Sequence, residues 1–316
     1  MTRLPIGLAL SRPSPSALVD AIADAEERGL GRAWSTVGGT GPDAVTAFAA
    51  AALRTRHIQL GTSIVPAYPR HPVALASQAL VVADLAPGRF RLGIGPSHRP
   101  TIEGMFGIPM ERPLVYMREY LTVLRQLLWE GRAEVRGDFL SVHAALPAGM
   151  TPPRVPLLLS ALRPGAFRQA GEIADGAISW VCPIPYLLND ALPAMREGAA
   201  SAGRDVPPLI AHVPVVVGED RQAARTTGRA FLDRYARLPF YAGMFARAGY
   251  PTGSDGEVPD ALVAELVVWG DAGQIVRSLE DILSRGIDEL LLTVLPGPGQ
   301  EQQERSLIRA IGAAQV

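Results

Sequence analysis

The chain repeats one hydrophobic pattern eight times: a short β-rich run, a turn, then a helical stretch. Strands separated by helices cannot pair as hairpins, so they must join as parallel neighbours with crossover helices. The runs are Leu4–Leu10, Ala33–Ser35, His57–Val65, Arg89–Ile94, Val155–Ser160, Ala177–Val181, Leu209–Val217 and Ile287–Val294. Helix signals fill the gaps. Ser14-Pro15 gives a cap and a helix-opening proline, Leu18, Ile22 and Ala25 a buried stripe, and Gly29 a stop. Leu114, Met117, Leu121, Leu124 and Leu128 fall at spacings of three and four, which predicts an amphipathic helix over Arg112–Trp129. Asp271 and Gln274 make a capping box for a helix that stops at Gly286. Further helices are expected near Pro42–Leu53 and over Pro72–Leu85, Pro164–Ile173, Tyr186–Ser201, Asp220–Leu238 and Gln300–Ala313.

Eight strands and at least eight helices in strict alternation predict an α/β fold, a closed (β/α)8 TIM barrel with loop insertions. A doubly wound open sheet fits less well, because the loop after the first strand, Ser11–Ser14, holds no glycine for a phosphate turn. At 316 residues, one barrel domain spans 1–316. Two stretches fit no barrel element. Residues 131–154 read as an excursion with a small hairpin, and 239–260, aperiodic and rich in Gly, Pro and aromatics, as a loop insertion or lid.

Composition removes whole classes of function. All thirty basic residues are Arg, and no Lys is present. Schiff-base chemistry, a pyridoxal phosphate anchor and a Walker-type lysine are therefore excluded. A net charge of −1 without a basic run argues against nucleic-acid binding. Cys182 stands alone, so no internal disulfide or CxxC pair forms, and a reducing cytoplasm is the expected compartment. Leu4–Leu10 is too short and too broken by Pro5 and Gly7 for a signal h-region, and no run approaches the roughly 18 apolar residues of a membrane span. Histidines 57, 71, 98, 143 and 212 show no metal-ligand spacing, so no metal is expected. No GxSxG elbow is present.

In a barrel, chemistry belongs on the loops after the strands. Four such loops hold unusual residues. Gly61–Pro66 followed by Arg70-His71-Pro72 reads either as a strand end bent to support a planar ring, with Arg and His reaching the mouth, or as an ordinary loop with Pro72 opening a helix. Gly93-Ile94-Gly95-Pro96-Ser97-His98 holds a GxG without the third glycine of a dinucleotide fingerprint. Small residues there leave room for a ligand, and His98, with its near-neutral pKa, suits proton transfer; a solvated or structural loop histidine is the alternative. Ser160–Gly165 feeds a helix start that can bind phosphate with help from Arg163, or is a plain βα turn. Ser179–Pro183 carries Cys182, which lacks a basic partner and reads as buried filler rather than a nucleophile.

Across residues 60–98 the chain resembles the luciferase-like monooxygenase superfamily. The resemblance is carried by Leu60-Gly61-Thr62, Arg70-His71-Pro72, Gly88-Arg89-Phe90 and Leu92-Gly93-Ile94-Gly95. Asp43-Ala44-Val45-Thr46 and Thr55-Arg56-His57-Ile58 are similar to the lead-in, and Asp175-Gly176 and Gly286–Leu290 extend the match over nearly the whole chain. Gly95-Pro96-Ser97-His98 and Glu103–Pro109 resemble the branch that uses the deazaflavin F420. The resemblance implies an F420-dependent oxidoreductase moving a hydride between the ring's central carbon and a small organic substrate; the alternative on the same barrel is a reduced-FMN monooxygenase with a partner reductase. It also implies a non-prolyl cis peptide at Ser63-Ile64. The cofactor would be held by Ser63, Ile64, Gly95, Pro96, Ser97, Ala161, Leu162 and Arg163, with His98 catalytic. The chain departs from some F420 dehydrogenases at the end of strand two, where Ser35-Thr36-Val37 replaces an Asp-His pair. It also lacks any phosphate-binding lysine, which disfavours sugar-phosphate oxidation and favours a reductase. A homodimer involving Trp129 and the helix before it, and an F420 reductase partner, are further expectations.

Overall fold

A computed structural model describes the chain except residues 1–3, 254, 296–298 and 315–316; Ser254 of the expected 239–260 insertion therefore lies outside the described residues. Eight parallel strands close on themselves: β1 (Ile6–Ala9), β2 (Arg32–Ser35), β3 (Gln59–Thr62), β4 (Phe90–Gly95), β5 (Leu157–Ser160), β6 (Gly176–Ile178), β7 (Leu209–Val217) and β8 (Glu289–Val294). Closure comes from Ile6–Leu8 pairing with Leu290–Leu292, which joins β1 to β8. The chain folds as the expected (β/α)8 TIM barrel.

All eight expected runs overlap a barrel strand, with ends that differ by one to three residues in most cases. The third is divided: after β3 the backbone turns at Ser63-Ile64, and Val65–Pro66 pairs with Ile94 and Gly95. The helix Pro15–Glu27 is capped by Ser14, and Asp271 with Gln274 closes a full capping box on Ala272–Ser284. The expected hairpin is present as Arg132–Arg136 against Ser141–Ala145. Trp129 is packed within its own chain, its indole donating to Val155 O at 2.9 Å with Arg125 over the ring.

Alternation along the strands sends every second side chain inward. The lowest inward layer holds Arg32, Arg91 and Glu289. Arg91 makes a two-pronged pair with Glu289 at 2.7 and 2.8 Å, and Arg32 approaches the same carboxylate at 3.2 Å. Above it Trp34, Leu158, Ile178, Ile210 and Leu291 form a closed apolar layer. An indole fits inside so narrow a barrel because Gly7 and Gly61 flank it; a Cβ on either would collide with Trp34. The top layer, Ala9, Ile64 and Trp180, is only partly buried and floors the mouth.

One carboxylate serving two guanidinium groups makes Glu289 a stability determinant. Glu289→Ala should cost about 2 kcal/mol, toward the lower side of values for broken buried pairs because both arginines keep some solvent contact. Urea unfolding checks this; an unshifted midpoint would show that the trio contributes nothing.

The region after β7 departs from the sequence reading. Residues 239–260 are not an irregular loop throughout: Pro239–Arg247 is a helix burying Tyr241, Met244 and Phe245. Those three sit at i, i+3 and i+4, but nine residues between Gly- and Pro-containing flanks give too little periodicity to detect. The helix Arg221–Ala236 turns its apolar face, Phe231, Leu232 and Tyr235, the same way. Asp260–Leu266 and a short strand, Val268–Gly270, which extends the top of β7, complete the insertion. These helices form a cap that reaches the barrel mouth.

Candidate active site

The mouth is shaped first by one threonine. The hydroxyl of Thr62, at the end of β3, accepts from Gly93 N and donates to Gly93 O, both at 2.8 Å. Gly93 has no room for a side chain, since its Cβ would run into the Thr62 carbonyl. Just beyond, the Ser63-Ile64 peptide is cis. Neighbours hold this bulge from both sides: Ser63 N donates to Ser35 O at 2.9 Å, Thr36 Oγ1 to Ser63 O at 2.8 Å, and Val37 N to Ile64 O at 3.1 Å. The Ser63 hydroxyl is buried with no partner among the described residues.

The loop after β4 forms the adjoining wall. A Cβ on Gly95 would press on the Ser160 side chain and stand 3.2 Å from Ile64 Cγ1. Ser97 holds φ 63°, a left-handed conformation that costs a non-glycine residue of order 1 kcal/mol. It sets the backbone so that His98 enters the helix Arg99–Gly104 as its cap residue without using its side chain as the cap. The imidazole instead lies edge-on to Tyr241 and Tyr235, ring centres 5.7 and 6.4 Å away. Neither ring nitrogen has a partner among the described residues. Desolvation, and secondarily the charge of Arg234, pulls the His98 pKa below its usual value.

On the other side, β5 ends at Ser160. Ala161 N donates to Ile178 O, and Leu162 O accepts from Tyr186 OH at 3.0 Å. Arg163 caps the ten-residue helix Pro164–Ile173 with no side-chain cap bond; Ala166 N and Phe167 N turn back to Arg163 O, so in this first turn the Gly165 N–H is left without a described partner. Its guanidinium lies 6.0 Å from the ring centre of Phe240 and pairs with no described carboxylate.

The remaining arc includes the Ser179–Pro183 loop, singled out in the sequence for Cys182 and not for Trp180, together with His212 and Tyr235, which the sequence reading passed over. Trp180 stacks on His212, centroids 3.6 Å apart and planes 14° from parallel. His212 is fully buried, and burial drives its pKa down to about 3, so it is neutral at any ordinary pH. Its Nδ1 accepts from Val181 N at 3.4 Å, which leaves Nε2 to carry the proton toward Thr293 Oγ1 at 2.9 Å. Val181 has φ 47°, a rare value for a buried β-branched residue, at the step where the chain leaves the sheet beside Trp180. The Trp180 indole N–H donates to Tyr235 OH at 2.7 Å.

The structure thus gathers Ser63, Ile64, Gly95, Pro96, Ser97, His98, Ala161, Leu162 and Arg163 at strand ends around one mouth. Other candidates fall away. His71 is exposed and caps Pro72–Leu85 through Nδ1, and Arg70 is tied to Asp43 at 2.6 Å. Arg99 pairs with Glu103, and Arg112 with Asp138 at 2.8 Å. Cys182 is buried, and burial pushes its thiol up to about 12, which makes it a poor nucleophile.

An apolar floor, a glycine-lined wall, an unpartnered buried hydroxyl and the open Gly165 N–H beside the Arg163 guanidinium fit a planar ring that bears a phosphate. A TIM barrel with such a mouth defines the class of flavin-type barrel oxidoreductases. The model of the luciferase-like monooxygenase family matches residues 1–289, and the chain belongs to that family. A Mycobacterium tuberculosis protein provisionally named a coenzyme F420-dependent oxidoreductase is 29% identical over 93% of this chain and 94% of its own. The F420-dependent glucose-6-phosphate dehydrogenase of Kineococcus radiotolerans is 27% identical, over 92% and 89%. Among solved structures, the coenzyme F420 dependent tetrahydromethanopterin reductase of Methanopyrus kandleri superposes with a TM-score of 0.80 at 23% identity, over 99% of this chain and 98% of that one.

Proposed function

We propose that this chain, read as one barrel domain, is an F420-dependent oxidoreductase that transfers a hydride between the deazaflavin and a small organic substrate, working as a reductase. The observation that carries the reading is the joining of two features: full-length relatives named for F420, and a mouth whose floor and wall suit a flat tricyclic ring. When bound, the deazaflavin supplies a hydride acceptor or donor at its central carbon. The protein's part is positional. Ser63 and Ile64 support the ring from below, and Gly95, Pro96 and Ser97 leave space along its edge. Ala161 lines the phosphate end, and Leu162 and Arg163 face the phosphate with N–H groups and a guanidinium that donates to two oxygens at once. His98, unpartnered and half-exposed, moves a proton at the substrate atom that gains or loses one.

Side-by-side titration with F420 and FMN at matched ionic strength tests this, with F420 expected to bind more tightly. Arg163→Ala should weaken F420 about tenfold, the loss of one charge-assisted contact worth roughly 1.5 kcal/mol. Tighter binding of FMN would turn the reading toward a reduced-FMN monooxygenase.

The same reading carries a homodimer and a partner that re-reduces F420. Leu53 and Val81, exposed on the adjacent helices Ala44–Arg54 and Pro72–Leu85, supply apolar surface for the former. Light scattering at micromolar concentration should give twice the chain mass. No described helix is long and apolar enough to cross a membrane, and the lone buried cysteine supports a cytoplasmic setting.

A further inference from the structure

At the mouth, Trp180 is fixed more completely than support of a cofactor requires. It shares the floor with Ile64 and Ala9 and remains half-exposed. Its ring rests on His212, itself anchored between Val181 N–H and the Thr293 hydroxyl, and its N–H is taken by Tyr235 from the cap. An indole secured on one face and at its nitrogen has lost its rotamer freedom already, so a ligand stacking on it pays little further ordering entropy. Around it the cap adds rings: Tyr235 to Tyr241 with centroids 5.0 Å apart, and both against His98. Among the described residues, no carboxylate hydrogen-bonds to Trp180, His212, Tyr235 or His98. Arg234, a cation on the cap side, is exposed and lies over the faces of Phe231 and Tyr235, at 4.4 and 4.8 Å.

We propose that Trp180, locked by His212 and Tyr235, is the substrate platform, and that the substrate is an uncharged planar carbonyl compound of the quinone, cyclic enone or aryl ketone type. The proposal rests on the reading of the mouth as an F420 site and deepens it by naming the substrate class. A flat π surface rewards a flat apolar partner through area burial and offset stacking. A sugar phosphate would instead lose its hydration against rings that give nothing back. In this arrangement Trp180 selects the substrate, while His98, within reach of the same wall, handles its proton.

The test uses the full chain loaded with oxidised F420, so that binding is read without turnover. F420 affinity is measured first, then calorimetric titrations follow with menadione, a planar uncharged quinone, and with glucose 6-phosphate. Menadione should bind and glucose 6-phosphate should not. With F420 held at saturation for each variant, Trp180→Ala should weaken menadione about tenfold, the upper range of one aromatic contact. Trp180→Phe, which keeps a ring, should recover most of the loss. Tyr235→Phe removes only the oxygen that holds the indole and should weaken menadione about threefold, which guards against misfolding of the alanine variant. Tighter binding of glucose 6-phosphate, or menadione binding indifferent to Trp180→Ala and Tyr235→Phe, would each overturn the proposal. Failure of the wild type to bind F420 overturns the cofactor reading as well, and shows before any probe is added.

Discussion

His98→Ala should slow turnover by about 10²–10⁴-fold, the range lost when a positioned acid–base group is removed. F420 affinity should move less than about threefold, because the imidazole works on the substrate's proton and not on the cofactor. The warrant is geometric before it is electrostatic. His98 follows the glycine-lined end of β4, its side chain does no capping, and both ring nitrogens lack partners among the described residues. Burial, with the Arg234 charge second, depresses its pKa below the ordinary histidine range. The sign of the pH dependence follows. Substrate reduction needs the imidazolium, which is a stronger acid but a scarcer species at neutral pH, so the rate should climb as pH falls below about 6.5 and level off beneath the depressed pKa. Oxidation in the reverse direction needs the neutral ring, so it should be at its plateau by pH 7 and decline only on acidification. Both limbs should vanish in His98→Ala. Weakened cofactor binding with the saturated rate intact would reassign His98 to the cofactor's phosphate or side chain. A variant indistinguishable from wild type would return it to the ordinary loop histidines.

Where the sequence was readable and where it failed divide along one physical line. Strand β7 was legible to its last residue because Leu209–Val217 is a nearly unbroken apolar run, the signature of a strand buried on both faces. Helix Pro72–Leu85 was legible because proline marked its first residue and the apolar face ran on without a break. The loops after β3, β4 and β5 could be singled out because glycine and proline are visible wherever they stand. His212 could not. One polar residue inside an apolar strand reads as an interruption, and its meaning appears only when barrel closure brings Thr293 of β8 and Trp180 beside it. The available signal was parity: His212 shares the inward face with Ile210, and Thr293 with Leu291. The cap was misread for a related reason. Arg221–Ala236 has the period of an outer barrel helix, yet it crosses toward the mouth, and Ala272–Ser284 follows it to pack on β7 and β8. Periodicity reports that a face is buried, not against what. Likewise Arg70 was read as reaching the mouth, but the fold brings Asp43 to it at 2.6 Å.

Gly93→Ala should be the most damaging single methyl on the barrel strands, costing about 3 kcal/mol of stability and weakening F420 at least about tenfold. The added Cβ would overlap the Thr62 carbonyl and lie 2.8 Å from Ile178 Cδ1. The isoleucine can adjust its rotamer; the carbonyl cannot. It belongs to a strand held in register by Leu60 opposite Phe90 and Gly61 opposite Arg91, so relief requires the end of β3 to move as a unit. That movement pulls the Thr62 hydroxyl off Gly93 N and O, leaving buried backbone groups unpaired at about 1–3 kcal/mol each unless water enters. It also carries Ser63 and Ile64 with it, and with them the floor under the ring. Gly95→Ala is the matched control. Its methyl would meet chiefly the Ser160 side chain, whose hydroxyl can rotate away, so stability should fall by less than about 1 kcal/mol. The same methyl narrows the wall opposite Ile64, so F420 affinity should still drop. Urea unfolding and F420 titration on the two variants separate the roles: Gly93 sets the frame and Gly95 the clearance. If Gly93→Ala unfolds at the wild-type midpoint, Thr62 does not fix the bulge, and the floor of the site is held by something other than β3 and β4.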